Sequence, residues 1–308
     1  MLNKTIHGDC LVESEQIESG SVDLILTDLP YGTMNGYNGI DWDFAIDPDK
    51  VYEIANRILR KNGKMVLFSQ EPYTSRLITK AIPNVPFSYR MVWEKDSFAN
   101  ALGCNKAPVS YYEDILVFSK THDTDGIHPL REYFAKVLKY IGKTRSKIIE
   151  TIGQRVDHTF RTNSTQYALC TEATYDALIT EYGIDRMDGF IPYEKLVEID
   201  RKTKDEHFPS VFNLWEGGKY KSNILRYKKD YDGFHPTQKP VLLLEDLIKT
   251  YSNEGDLVVD LTMGSGSTAI ACINTGRFFI GIEKEKKYFD VANERIANHT
   301  IQQRLKFA

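Results

Sequence analysis

Val22-Asp23-Leu24-Ile25-Leu26-Thr27-Asp28-Leu29-Pro30-Tyr31 is the stretch whose reading decides the fold. Residues 22–27 read as a short buried strand, and Asp28 stands at its carboxyl end. Residues 32–46, rich in Gly, Asn and Asp, read as a loop and a candidate lid over whatever Asp28 holds. Asp47-Pro48 then opens a helix, with Asp as N-cap and Pro at the first helical position. Val51, Ile54, Ile58 and Leu59 recur at helical spacing, Gly63 follows, and Lys64–Phe68 reads as the next strand. A helix near 71–81 and strands near 87–93 and 113–118 continue the alternation, which predicts an α/β fold with a parallel sheet.

The C-terminal part repeats this style. Pro240 opens a helix through Tyr251, Leu257–Asp260 is a strand, a glycine turn follows at 264–266, and a helix starts near Ser267. Arg277–Glu283 is another strand, and the last helix carries Tyr288, Val291, Ala292 and Ile296 on one face. Glycines in Asp260-Leu261-Thr262-Met263-Gly264-Ser265-Gly266-Ser267-Thr268 let the backbone approach a ligand closely. Glu283, about 20 positions on, is placed to accept from ribose hydroxyls. A ligand-free turn and a nicotinamide site are the competing readings. The 42 residues beyond Gly266 are too few for the rest of a dinucleotide fold.

Asp28-Leu29-Pro30-Tyr31 has chemistry suited to a weakly nucleophilic exocyclic amine. The Asp28 carboxylate and the Leu29 carbonyl can each accept one N–H and turn the nitrogen lone pair toward an electrophile. Pro30 stiffens the turn, and Tyr31 offers a face for stacking. A strand-ending turn with a packed tyrosine is the bland alternative.

The whole has 308 residues, 42% hydrophobic and 27% charged, as in ordinary globular proteins. Cys10, Cys104, Cys170 and Cys272 are scattered without metal-ligand spacing, so no metal, no disulfide framework and a reducing, cytoplasmic setting are expected. Met1–Cys10 lacks an apolar core and no apolar run approaches a membrane span, so neither a secretory signal nor a membrane is expected. The net charge of −4 conceals an asymmetry. Residues 131–161 carry eight basic and three acidic side chains, whereas 172–200 carry eight acidic and two basic ones. Within the first of these, Tyr133, Phe134, Val137, Leu138 and Ile141 form an apolar face, Gly142 a turn, Thr144 an N-cap for Arg145–Ile152, and Gly153 a stop. This pattern predicts a helix–turn–helix, with a solvated basic helix pair as the alternative.

The ordered motifs resemble the β-group amino-methyltransferases of DNA, of the small bacterial or phage adenine-N6 type. They run Ile6-His7-Gly8-Asp9-Cys10, Asp28-Leu29-Pro30-Tyr31-Gly32-Thr33, Trp42-Asp43, Val66-Leu67-Phe68-Ser69, Trp93-Glu94-Lys95 and Tyr112-Glu113-Asp114-Ile115-Leu116-Val117-Phe118. His235-Pro236-Thr237-Gln238-Lys239-Pro240 and the glycine loop complete the set. The resemblance implies a Rossmann-like, circularly permuted S-adenosylmethionine-dependent methyltransferase sheet, formed by residues 1–119 and 231–308. A mostly helical target-recognition module, 120–230, is inserted in it.

It further implies that Asp28, Leu29, Pro30 and Tyr31 clamp a flipped adenine of double-stranded DNA. Asp260, Thr262, Gly264, Ser265, Gly266, Ser267 and Thr268 would line the cofactor together with Asp28 and His235. Glu283 would hold the ribose, Asp9 beside Cys10 the adenine ring, and Thr237 with Lys239 would close over the methionine end. Arg145, Lys147, Arg155, His158, Arg161, Asn163, Ser164 and Gln166 would face DNA. Two departures stand out. Leu29 replaces the commoner Pro, and Leu261-Thr262-Met263 replaces a Pro-Phe-small segment. Asp rather than Ser at position 28 favours adenine-N6 over cytosine-N4. An RNA or protein-glutamine methyltransferase and a DNA-binding regulator without activity are the further alternatives. A homodimer and a restriction endonuclease are the protein partners such an enzyme admits.

Overall fold

A computed structural model describes residues 2–32, 44–99, 104–105, 108–121, 129–162, 167–205, 210–230 and 238–307. It divides into two compact units, Met1–Thr121 with Ser210–Ala308, and His122–Pro209.

The first unit begins with β1 (Lys4–His7), α1 (Cys10–Glu13), β2 (Val22–Thr27), α2 (Pro48–Ile58), β3 (Leu59–Ser69) and α3 (Tyr73–Thr79). It continues with β4 (Phe87–Ala99) and β5 (Ser110–Ser119). The helical unit holds α4 (Pro129–Ile141), α5 (Arg145–Ile152), α6 (Glu172–Tyr182) and α7 (Tyr193–Asp205). The first unit then resumes with β6 (Ile224–Arg226), α8 (Val241–Tyr251), β7 (Leu257–Asp260), α9 (Ser267–Thr275), β8 (Phe278–Glu283) and α10 (Lys286–Phe307).

The described strands form one sheet in the order β1-β8-β7-β2-β3-β5-β4-β6. Its central strands are apolar on both faces because helices cover both. Val22 and Ile25 of β2, Met65 and Leu67 of β3 and Val259 of β7 join Val51, Tyr52, Ala55 and Ile58 of α2 in one core. Leu24, Leu26, Val66, Phe68 and Val258, on the other face, join Leu243, Leu247 and Ile248 of α8 and Ala271 and Cys272 of α9. Asp47 caps α2 as expected, its side chain accepting from the Asp49 N–H at 3.1 Å, an arrangement that contributes about 1 kcal/mol.

Along the sheet, the chain steps from β2 to β3 in one direction and from β7 to β8 in the other. Between them lies the point at which strand order reverses, the place where open α/β sheets bind ligands at their carboxyl ends.

The expected parallel sheet needs one correction. β5 lies between β3 and β4 and runs antiparallel to both. Among the described residues no helix separates β4 from β5, and a strand that returns without a crossover pairs antiparallel. Residues 210–230, given to the inserted module on sequence, pack with the sheet. β6 pairs with β4, Asn213 N–H donates to the Thr250 carbonyl at 2.8 Å, and Trp215 Nε1 donates to Asp246 at 2.9 Å.

In the helical unit Leu130, Tyr133, Phe134, Val137, Ile148, Tyr175, Leu178 and Leu196 form a separate core. Gly142 turns the chain at φ 66° between α4 and α5, and Gly153 ends α5 at φ 100°, both where the sequence puts them. Thr144 occupies the cap position, but its side chain makes no capping hydrogen bond.

Candidate active site

Parallel pairing of β2 with β7 brings the tetrapeptide and the glycine loop together, since Leu24 lies opposite Val258 and Ile25 opposite Val259. Asp260, the last residue of β7, is buried, and its carboxylate is caged by neutral donors. Thr27 Oγ1 donates to it at 2.8 Å, Thr268 Oγ1 at 2.6 Å and Thr262 N–H at 3.1 Å. Burial still dominates these hydrogen bonds and pushes the Asp260 carboxyl up to about 6. Thr262 Oγ1 donates to the Asp28 carbonyl at 2.9 Å and lies 2.9 Å from Thr27 Oγ1. The threonine that departs from the family's usual loop is thus the tie between the two halves.

Asp28 is partly exposed, and its side chain meets different company. Tyr31 Oη donates to Oδ1 at 2.5 Å, and the Lys239 ammonium donates to Oδ2. Lys239 also lies 3.2 Å from Glu113 Oε2 and 5.1 Å from the Phe68 ring centroid. The Lys95 ammonium donates to Glu113 Oε1 and sits 5.1 Å from the Trp93 ring. Charges therefore alternate along Asp28, Lys239, Glu113 and Lys95. Burial raises the Asp28 carboxyl above its ordinary value, the attraction of Lys239 offsetting only part of this. Burial also penalises the Glu113 carboxylate, but Lys239 and Lys95 outweigh it and hold its pKa below the usual range. Burial works against the Lys239 charge too, yet Asp28 and Glu113 keep that ammonium more firmly protonated than usual.

Leu29 points into the core, so its side chain is spent on packing. Tyr31 is half-buried, its ring 5.9 Å from that of Tyr73, whose hydroxyl donates to the Ile46 carbonyl at 2.7 Å.

At the glycine loop, Gly264 and Gly266 take φ 50° and 80°. A side chain at Gly266 would meet the Ala292 Cβ at 3.2 Å, so its lack of one lets the loop close onto α10. Glu283 accepts from Gly264 N–H at 2.9 Å and from Glu285 N–H at 2.7 Å. Pairing of β1 with β8 sets His7 opposite Glu283, which brings Asp9 to the same rim. Asp9 accepts from Leu11 N–H at 3.0 Å and pairs with Lys284 at 3.0 Å. Cys10 is buried and its thiol is pushed up to about 12 by that burial, so it contributes packing rather than charge. Ser267 Oγ accepts from Arg295 at 2.9 Å, and Ser265 Oγ lies 3.4 Å from Gln238 Oε1. Two acidic side chains at a tight, open-backed loop suit a ligand bearing hydroxyl and amino donors. That pair of acceptors, Asp9 and Glu283, fits the adenine and ribose of S-adenosylmethionine.

The structure thus gathers Asp28, Tyr31, Lys239, Asp260, Thr262 and Thr268, with Asp9, Gly264 and Glu283 along β8 and its neighbours. Glu113, Lys95, Thr27 and Arg295 join them without having been singled out. Glu113 and Lys95 lay inside quoted motifs, but their pairing depends on the antiparallel β4–β5 ladder. His235, Thr237, Trp42 and Asp43 lie outside the described residues, as does most of the expected lid.

In the helical unit Lys147, Arg155 and His158 are exposed. Arg145 Nε instead pairs with Asp157 at 3.0 Å, and Arg161 with the same carboxylate at 2.6 Å, which holds that carboxyl below its usual range. Asn163, Ser164 and Gln166 lie outside the described residues. Among the described residues no cluster of His, Cys, Asp or Glu could hold a metal, and no helix is long and apolar enough to cross a membrane.

A family model described as DNA methylase, of the N6/N4 methyltransferases, matches residues 22–294. The DNA adenine methyltransferase YhdJ of Escherichia coli K12 is 27% identical over 301 residues, 96% of this chain and 83% of that protein. Among solved structures, the complex of M1.HpyAVI with S-adenosylmethionine superposes with a TM-score of 0.51 at 19% identity, over 95% of this chain and 98% of that one. The cytosine-N4-specific PvuII DNA methyltransferase superposes with a TM-score of 0.51 at 15% identity, over 96% and 90%.

Proposed function

The chain belongs to the N6/N4 DNA methylase family, and from that premise we propose that it methylates N6 of an adenine flipped out of duplex DNA. The observation that carries this reading is the hydrogen bond from Thr262 on the cofactor loop to the Asp28 carbonyl, which ties the amine-holding turn to the loop. S-adenosylmethionine supplies an activated methyl group on a sulfonium. Glu283, Asp9 and the Gly264–Gly266 turn would hold its adenosine, and Asp260 and Thr262 would shape the loop that receives the rest.

The protein's own contribution is positioning. An adenine amine conjugated with its ring has no free lone pair in the ring plane. The Asp28 carboxylate and the Leu29 carbonyl draw its two N–H bonds to themselves and turn the nitrogen toward the methyl. Tyr31 fixes the Asp28 carboxylate through its hydroxyl and flanks the base with its ring. Extruding the base costs a few kcal/mol of stacking, which contacts in this pocket must offset.

The exposed Lys147, Arg155 and His158 of the helical unit would contact the phosphate backbone. Arg145 and Arg161 are held by Asp157 until a phosphate or a guanine competes for them.

Mass spectrometry of nucleosides from DNA of a methylation-deficient host expressing the protein tests the assignment. 6-Methyladenine is expected. 4-Methylcytosine in its place would overturn the choice of base, and neither modified nucleoside would overturn the function.

A further inference from the structure

Asp28 presents a puzzle in its own site. The carboxylate that must accept an N–H from the substrate already accepts one from Lys239. With Tyr31 on Oδ1, that ammonium occupies the other oxygen on which a substrate N–H could land. It sits among Asp28, Glu113 and Phe68, with Lys95 beyond Glu113. The second unusual feature lies across from it. Glu113 Oε2 is buried, is 3.2 Å from the Lys239 nitrogen, and receives no aligned hydrogen bond. A buried carboxylate oxygen held only by a shared and poorly aligned ammonium is under-satisfied, which is costly.

We propose that Lys239 is a placeholder for the substrate's amino group and that Glu113 is the positioning residue that receives the ammonium when the base docks. The exchange balances. The hydrogen bond from Lys239 to Asp28 Oδ2 breaks. One from the base amine to Asp28 Oδ2 forms, the existing 3.2 Å contact of Lys239 with Glu113 Oε2 tightens into an aligned hydrogen bond, and no proton changes owner. Before docking, the ammonium favours the charged form of the partly exposed Asp28 carboxylate. After docking, it remains next to Asp28, while Glu113 Oε2, until then sharing the ammonium, gains a fully aligned donor. Lys95 holds the far oxygen of Glu113, so this carboxylate stays put while Lys239 moves. A base lacking the amine cannot take the vacated place on Asp28 and gains nothing from the exchange. The arrangement therefore favours an amino-bearing base over one of the same shape without it.

This inference rests on the proposed function, and the test separates the two. Modified-base sequencing of DNA from expressing cells first locates the target site. Binding is then measured on two duplexes with S-adenosylhomocysteine present. One carries the target adenine, and the other carries 2′-deoxynebularine, the same ring without its amino group. For Glu113→Gln, affinity for the adenine duplex is expected to fall about tenfold, while affinity for the nebularine duplex stays within about twofold. Ease of flipping differs between the duplexes but cancels between the proteins. Glu113→Asp, which keeps the charge on a shorter stem, should show a smaller loss confined to the adenine duplex, and it carries the test if the Gln variant does not fold. Equal losses on both duplexes, or no loss on either, would overturn the exchange while wild-type methylation stands. A wild-type protein that methylates neither amino base overturns the functional reading, and the exchange with it.

Discussion

Asp28 and Asp260 end adjacent parallel strands, are tied to each other through Thr262, and are both raised in pKa by burial, yet their partners differ in kind. Asp260 is surrounded by two threonine hydroxyls and a backbone amide, none of which carries charge. Asp28 is met by a lysine that is shared with a second carboxylate, and by a tyrosine on its own turn. A cage of short, neutral donors from the end of β2, the loop and the start of α9 is rigid, and it shapes the turn around it. A cation on a long flexible stem can leave and return. The same side chain serves as a brace at one strand end and as a working acceptor at the other.

The largest effect that sharpens this contrast should come from Asp28→Ala. Methyl transfer should fall by at least about a thousandfold, because positioning of the amine is lost, while cofactor affinity changes only a few-fold. Labelled-methyl incorporation and titration calorimetry check the two halves separately, and substantial transfer by this variant would break the contrast. In the wild type, the working form of Asp28 is the carboxylate. Its raised pKa means that the methylation rate should climb with pH through a value above that of an ordinary aspartate and then level off. A pH–rate profile under saturating cofactor shows whether the acid limb lies there.

A smaller effect separates the brace. The Asp260 carboxyl sits at about 6 in the folded protein against 3.8 in the unfolded chain, so the folded state binds the extra proton. Stability attributable to this group therefore rises as pH falls through 6 toward 4, and burying the charge costs up to about 3 kcal/mol above that window. Asp260→Asn has no such titration. The stability of the wild type relative to this variant should increase between pH 8 and pH 5, read by denaturant unfolding at each pH. A difference that does not change with pH would mean that the Asp260 cage compensates fully for its burial.

The brace was largely legible in the sequence, because all its parts but Thr27, which arrives through the β2–β7 pairing, are local. The β7 run, the glycine turn and the Ser267 helix start lie within one short segment, and backbone needs at Gly264 and Gly266 follow from position alone. The helix pair around Gly142 was equally local. The working acceptor was legible only as a tetrapeptide. Its charge neighbours come from β4, β5 and the start of α8, and they meet because β5 slips antiparallel between β3 and β4, a pairing that no periodicity announces. Asp157 escaped for the same reason, standing twelve residues from the Arg145 it restrains.

The smallest predicted effect falls on the tie itself. Thr262 Oγ1 touches both the Asp28 carbonyl and Thr27, while its own N–H is spent on Asp260. Thr262→Val keeps shape and β-branching, and with them the backbone bond to Asp260, but removes the hydroxyl. The loss should be about 1 kcal/mol, and it bears on where Asp28 stands rather than on whether the loop folds. Turnover should therefore drop about fivefold with the cofactor KM nearly unchanged, and Thr262→Ser should recover most of it. If the cofactor KM rises instead and turnover holds, the hydroxyl belongs to the brace alone. The two aspartates would then be neighbours without being coupled.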